Sequence, residues 1–188
     1  MLILASQSPR RAELLRAAGL TFRVVAPAVE DAPPPHAPSL PALVTRMALH
    51  KAESVAAHRR DVVIGADTIV VCQSRIFGKP ADAAEAGRML RFLSGRPHRV
   101  YTGVALVAGD RRLTGWERTE VVFRPLTTPE IRRYVATGEP LDKAGAYALQ
   151  GLGAALVEEV RGCYTNVIGL PMPKLLHLLE EFRRAEGE

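Results

Sequence analysis

The sequence predicts an α/β protein. Short apolar runs of strand length, at residues 2–5, 22–26 and 62–64, alternate with longer stretches whose apolar residues recur at helical spacing. The joins between them carry Gly, Pro, Ser and Asp, the residues that turn a chain. At 188 residues with 47% hydrophobic content, one domain spanning residues 1–188 is expected.

The first stretch is the most informative. Leu2 to Ala5 is apolar, Ser6 to Ser8 is a polar turn, and Pro9 opens a helix. Ser8 suits the N-cap, where its hydroxyl can accept a first-turn amide hydrogen. Pro9 suits the first helical position, where a missing N–H costs nothing. Such a helix start carries unpaired N–H groups and a partial positive charge, which favour an anion. Arg10 and Arg11 oppose that dipole. They are either solvated surface charges or cations facing an anionic group such as a phosphate.

Gly19 is a natural helix stop, and residues 22–26 form a short strand. Residues 27–41 are Pro-rich and read as a loop carrying Glu30 and Asp31, a solvated pair or a functional one. Residues 39–58 read as a helix capped by Ser39, with Lys51 beside its apolar face. Lys51 either snorkels from the core edge or serves a site. Residues 62–64 and 69–71 read as strand, with Gly65-Ala66-Asp67-Thr68 between them. A carboxylate among small and apolar neighbours is costly to bury without a partner. Asp67 is either a strand-end acid bonded to nearby amides or a general base or metal ligand. Lys79 lies in the turn 77–80, before Pro80.

Residues 82–93 read as a helix with Asp82 and Glu85 as a capping pair, and Thr128-Pro129-Glu130 starts another to about residue 136. Between them, residues 99–107 and 113–124 form a hairpin around Ala108-Gly109-Asp110, expected to supply sheet and a dimer surface. Residues 138–154 are dense in Gly and Ala, so the backbone is expected to approach something closely. Gln150 within them is either a satisfied core amide or a group that reads a pyrimidine's carbonyl and N–H edge. Residues 155–160 read as the last strand, with 166–170 leading into it or out of a turn, and 171–184 as a C-terminal helix.

Composition narrows the function classes. No apolar run approaches the ~20 residues that span a bilayer, and the start lacks a basic, signal-like segment. Cys72 and Cys163 form no metal motif, and the five histidines are scattered, so a cytoplasmic protein with reduced thiols is expected. Net charge of +5 suits an anionic partner, yet no dense or aromatic-interleaved basic run supports a nucleic-acid groove. Of 25 Lys and Arg residues, only Lys51, Lys79, Lys143 and Lys174 are lysine. In a chain that favours Arg, positions that stay Lys point to sites needing a compact ammonium, which raises Lys51, Lys79 and Lys143 above background.

Together these stretches resemble the Maf-like nucleotide pyrophosphatases. The matching residues run from Ala5 through Ser6-Gln7-Ser8-Pro9-Arg10-Arg11-Ala12-Glu13 to Leu15. They continue through Lys51-Ala52, Gly65-Ala66-Asp67-Thr68, Gly78-Lys79-Pro80, Asp142-Lys143-Ala144-Gly145-Ala146-Tyr147 to Gln150-Gly151, and Asn166 to Pro171. The resemblance implies an elongated mixed β-sheet flanked by helices, in two lobes with a central active-site cleft, as in inosine triphosphate pyrophosphatases. It implies hydrolysis of a nucleoside triphosphate to monophosphate and pyrophosphate with a divalent metal, Mg²⁺ or Mn²⁺, in a cytoplasmic homodimer. Carried over residue by residue, Asp67 is the proton acceptor or a metal ligand. Lys51 and Lys79 face phosphates, and Glu30 lies near the metal, with Asp31 one residue away. Arg10, Thr68 and Gln150 match substrate-selecting positions, and Ser8, Arg11, Glu13 and Lys143 share the substrate-binding motifs. Gln150 matches the branch that acts on dTTP and UTP and argues against a purine enzyme. The alternative is a nucleotide-binding regulator of septum formation with little turnover, which would need no base.

Overall fold

The computed structural model describes residues 1–29, 37–55 and 61–184. The chain begins with β1 (Leu2–Ala5), followed by α1 (Pro9–Ala17), β2 (Phe22–Val25), α2 (Leu40–Glu53) and β3 (Val62–Cys72). Then come β4 (Arg75–Phe77), α3 (Ala83–Leu93), the long hairpin of β5 (Pro97–Ala108) and β6 (Arg111–Phe123), and α4 (Thr128–Ala136). Three 3₁₀ turns, at Glu139–Asp142, Ala144–Ala146 and Leu152–Leu156, lead into β7 (Val157–Arg161), α5 (Tyr164–Ile168) and α6 (Met172–Arg184). The sheet has seven strands in the order β2-β1-β3-β5-β6-β7, with β4 paired to β3. It is mixed: β1 pairs in parallel with β2 and β3, while β3–β4 and β6–β7 are antiparallel. This is the α/β class expected.

The predicted elements are present, with instructive differences. The two short strands around Gly65-Ala66-Asp67-Thr68 are one continuous strand of 11 residues, so Asp67 is mid-strand rather than at a strand end. β4 was hidden because its turn, Gln73-Ser74, contains none of the usual turn glycines. Residues 166–170, read as leading into a strand or out of a turn, lie partly in the short helix α5. Ser39 caps α2 by accepting from Ala42 N–H, and Asp82 caps α3 by accepting from Glu85 N–H. At α4 the cap is Thr127 rather than Thr128, in a reciprocal capping box with Glu130.

The chain falls into two units: Met1–Asp67 with Thr102–Glu117 and Gly169–Glu188 (unit 1), and Thr68–Tyr101 with Arg118–Ile168 (unit 2). In unit 1 strand alternation sorts two cores. Leu4, Ile64, Ala66, Val104 and Leu106 pack with α1 and α6. Ile3, Ala5, Val63, Ala105 and Val107 pack with Ala48 and Ala52 of α2. The connection β1–α1–β2 steps one way along the sheet, and β2–α2–β3 steps back past β1 on the other face. That reversal is a topological switch, and ligands of such sheets bind outside the carboxyl ends of the strands there.

Unit 2 has a core of its own, built on Leu90, Leu93, Val100, Val121, Phe123 and Tyr147. His98 is buried in it, stacked edge-on against Phe123 and Tyr147. Its Nδ1 lies 3.4 Å from Arg96 O and its Nε2 2.9 Å from Tyr147 Oη. A carbonyl can only accept, so Nδ1 carries the proton and Tyr147 O–H donates to Nε2. Burial pushes the imidazole down to about 4, despite the Arg96 carbonyl and the Glu120 charge.

Candidate active site

The switch point lies at β1 and β3. Ala5 pairs with Gly65, so β1 ends at the level of Gly65 while β3 runs on through Asp67. The turn Ser6–Ser8 and the start of α1 follow from that end of β1. Ser8 is the N-cap of α1, but its hydroxyl makes no capping bond, contrary to expectation. Ser6 shapes the turn instead: its buried Oγ accepts from Ser8 N–H at 3.2 Å and from Arg11 Nη1 at 3.0 Å. Arg11 is buried and also donates through Nε to Gly169 O at 2.8 Å, which ties α1 to the segment before α6. Of the two arginines expected to face an anion, Arg11 thus braces the protein, while Arg10 is half-buried and Glu13 exposed.

Asp67 is brought to Lys51 by two glycines. A Cβ on Gly65 would sit 2.1 Å from Ala48 O, and one on Gly103 would sit 2.1 Å from Val44 O. Only hydrogen fits there, so α2 lies with its backbone directly on β3 and β5. Val63, Gly65 and Asp67 share the face that α2 covers, and Lys51 in the last turn of α2 reaches Asp67. Lys51 Nζ stands 2.6 Å from Asp67 Oδ2, and both residues are 7% exposed. Reading Asp67 as an acid bonded only to nearby amides therefore misses its partner, a buried cation. Gly103, in a hairpin that showed no chemistry, is a residue that the sequence did not single out; a glycine inside a long apolar strand was the available signal.

Unit 2 carries Thr68, Lys79, Lys143 and Gln150. Thr68 is the residue after Asp67 on β3 and is half-buried; Lys79 is exposed. Lys143 Nζ donates to Glu139 O at 2.7 Å and pairs with Asp142 Oδ1 at 2.5 Å. Gln150 is half-buried, and its Oε1 is buried with no hydrogen-bond partner among the described residues. An orphaned buried acceptor is uncommon and costs about 1–3 kcal/mol, which is the feature that singles out this amide. Glu30 and Asp31 lie outside the described residues.

Among the described residues no group of three or more His, Cys, Asp and Glu converges as a metal cage would. Mg²⁺, however, is commonly held by one or two carboxylates together with substrate phosphates and waters. Asp67, a single buried carboxylate beyond the end of β1, fits that sparse donor set.

Comparison with known proteins places this architecture. The sequence pattern of the Maf-like protein family matches residues 1–182. A protein of Bacillus cytotoxicus named dTTP/UTP pyrophosphatase is 52% identical over 182 residues, covering 96% of this chain and 94% of its own. A protein of the same name from Symbiobacterium thermophilum is 53% identical, covering 96% and 93%. Among solved structures, the Ham1 protein of Staphylococcus aureus covers 98% of both chains with a TM-score of 0.55 at 12% identity, a likeness of fold.

Proposed function

The chain belongs to the Maf-like protein family, and we propose that it hydrolyses dTTP and UTP to the monophosphate and pyrophosphate. The observation that carries this reading is the buried Asp67–Lys51 pair beyond the carboxyl end of β1. The names of the relatives, at about half identity over nearly the whole chain, support the substrate. They favour catalysis over a division regulator with little turnover.

In the reaction, water attacks the α-phosphorus, the bond to the β-phosphate breaks, and pyrophosphate leaves with the bridging oxygen. Asp67 accepts the proton of the attacking water, and Lys51 holds its carboxylate in place. Arg10 and the uncapped first turn of α1 offset phosphate charge, which grows as the anionic product departs. Ser8, with its hydroxyl not spent on capping, adds a donor; the substrate-binding roles of Lys79, Lys143 and Thr68 are those the family resemblance implies. A divalent ion, Mg²⁺ or Mn²⁺, held by Asp67 with Glu30 as a further candidate, would supply charge neutralisation at the phosphates.

Gln150 selects the base. Thymine and uracil present an N3–H between two carbonyls, which suits an unpartnered amide oxygen beside an amide NH₂. Cytosine and adenine present a ring acceptor in place of that N–H, so an amide oxygen held against this position faces an acceptor, whereas an amide turned end for end would pair with their exocyclic amino groups. Selection therefore needs the Gln150 amide held in one orientation.

Among the described residues no helix is long and apolar enough to cross a membrane. A homodimer with a house-cleaning role, and a link to septum formation, rest on the family resemblance, and a cytoplasmic location on the two free thiols. The test is pyrophosphate release with Mg²⁺ over a nucleotide panel, comparing wild type with Asp67→Asn, both checked for folding by circular dichroism. Release from dTTP and UTP, reduced at least about a hundredfold in the variant, is expected. Nucleotide binding without release from any triphosphate would overturn the reading in favour of the regulator.

A further inference from the structure

The segment that carries Gln150 has little regular structure, yet its backbone is tied down at three points. Glu139 Oε1 accepts from Gly153 N–H at 2.9 Å, and its Oε2 accepts from Leu152 N–H at 3.1 Å. Tyr134 O–H donates to Glu139 Oε1 at 2.8 Å, and the same hydroxyl oxygen accepts from Ala148 N–H at 3.1 Å. The amides of residues 148, 152 and 153 thus bracket Gln150 on both sides and all lead to one carboxylate. The chain wraps it so closely that Gly151, at φ +89°, would bring a Cβ to 2.7 Å from Glu139 Oε2. At Gly153 a Cβ would meet Ala148 O at 2.3 Å and Tyr134 Oη at 2.5 Å. Glu139 is itself anchored, with its N–H donating to Thr137 Oγ1 and its carbonyl accepting from Lys143 Nζ.

This strap uses up backbone donors while leaving the Gln150 Oε1 buried and unpaired. A loop held for packing alone would gain by pairing that oxygen; one held to offer it to a ligand would not. We propose that Glu139, with Tyr134 as its relay, is the positioning residue that sets Gln150 for base selection. The inference rests on the reading of Gln150 as the base-selecting group. Burial pushes the Glu139 carboxyl up, but the Gly153, Tyr134 and Leu152 hydrogen bonds and the Lys143 charge outweigh it and hold it below the usual carboxylate range. It therefore stays an all-acceptor group, as three converging donors require.

The test is a double-mutant cycle read on two substrates, UTP and CTP. Glu139→Gln turns one acceptor oxygen into a donor facing a donor. It is expected to lower kcat/KM for UTP about tenfold, mainly through KM, and to leave CTP within about twofold. Gln150→Ala should do the same, and the Glu139→Gln/Gln150→Ala pair should be no worse than Gln150→Ala alone. Equal losses on UTP and CTP, or effects that add in the double variant, would overturn the proposal. Should Glu139→Gln fail to fold, Tyr134→Phe keeps both backbone bonds to the carboxylate and should show the same UTP-selective loss, more weakly. If wild type hydrolyses neither dTTP nor UTP, the substrate reading falls by itself. Amide exchange at Leu152 and Gly153 then decides the positioning role: faster in Glu139→Gln supports it, unchanged refutes it.

Discussion

In unit 1 the buried carboxylate of Asp67 faces the ammonium of Lys51 at 2.6 Å, whereas in unit 2 the half-buried carboxylate of Glu139 is shared among two backbone N–H groups and a tyrosine hydroxyl. Both arrangements partner an acid held away from bulk water, by different means. An ammonium on a long side chain can shift when a proton or a phosphate arrives. Fixed backbone donors cannot, and an acid spread over them is scaffold. The comparison teaches that burial alone does not separate the acid proposed to react from the acid that braces a loop; the kind of partner does.

The sharpest way to break that contrast is to remove the cation. Lys51→Met leaves Asp67 without its ammonium in a site that is 7% exposed, and is expected to cost about 3–5 kcal/mol in urea unfolding at pH 7. Lys51→Met/Asp67→Val removes both charges and should recover most of that loss while remaining inactive. A single variant as stable as wild type would show that Lys51 does not hold the acid.

How much of this was legible depended on where the signal lay. Asp67 stood out because it is flanked by Gly65, Ala66, Thr68 and apolar residues, and Lys51 because lysine is scarce in this chain. Their pairing was not legible: it follows from α2 lying on Gly65 and Gly103, and a glycine does not announce which backbone approaches it. Ser6 and Ser8 share one turn, and composition cannot say which hydroxyl shapes it. Glu139 carried no sequence signal, because its partners Leu152 and Gly153 meet it through backbone N–H groups that every residue but proline carries. Helix caps, set by side chains within one turn, were legible at Ser39 and Asp82, displaced by one residue at Thr127, and misread at Ser8, whose turn is held by Ser6 instead.

Acid sharpens the comparison within unit 2, where His98 and Glu139 respond in different windows. The folded imidazole sits at about 4 against an ordinary 6.5, so the unfolded chain binds the extra proton first. His98 leaves stability intact above pH 6.5 and erodes it as pH falls from there toward 4, by about 1.4 kcal/mol per unit and about 3 kcal/mol in all. Glu139, held low, contributes fully above the ordinary carboxylate range and loses its contribution only at lower pH. Stability followed from pH 7.5 to 5 should therefore fall in wild type and stay nearly flat in His98→Gln. An imidazole resonance of His98 that titrates near 6.5 would contradict the buried, neutral assignment.

The smallest effect concerns strain outside either carboxylate. The β3–β4 hairpin pairs Cys72 with Arg75 across Gln73 and Ser74, whose φ values are +47° and +65°. Two successive left-handed residues make the turn that suits the right-handed twist of a hairpin, but it favours Asn-Gly. A side chain with a Cβ costs roughly 1–2 kcal/mol in that conformation, less where asparagine or glycine replaces it. Gln73→Asn/Ser74→Gly is expected to stabilise the protein by about 1 kcal/mol, seen as a higher Tm. The turn contributes none of the groups assigned to the reaction, so dTTP and UTP hydrolysis should remain within about twofold. A gain in stability with lost activity would mean that the turn tunes Asp67 along the shared strand β3, and that the acid of unit 1 depends on backbone strain stored in unit 2.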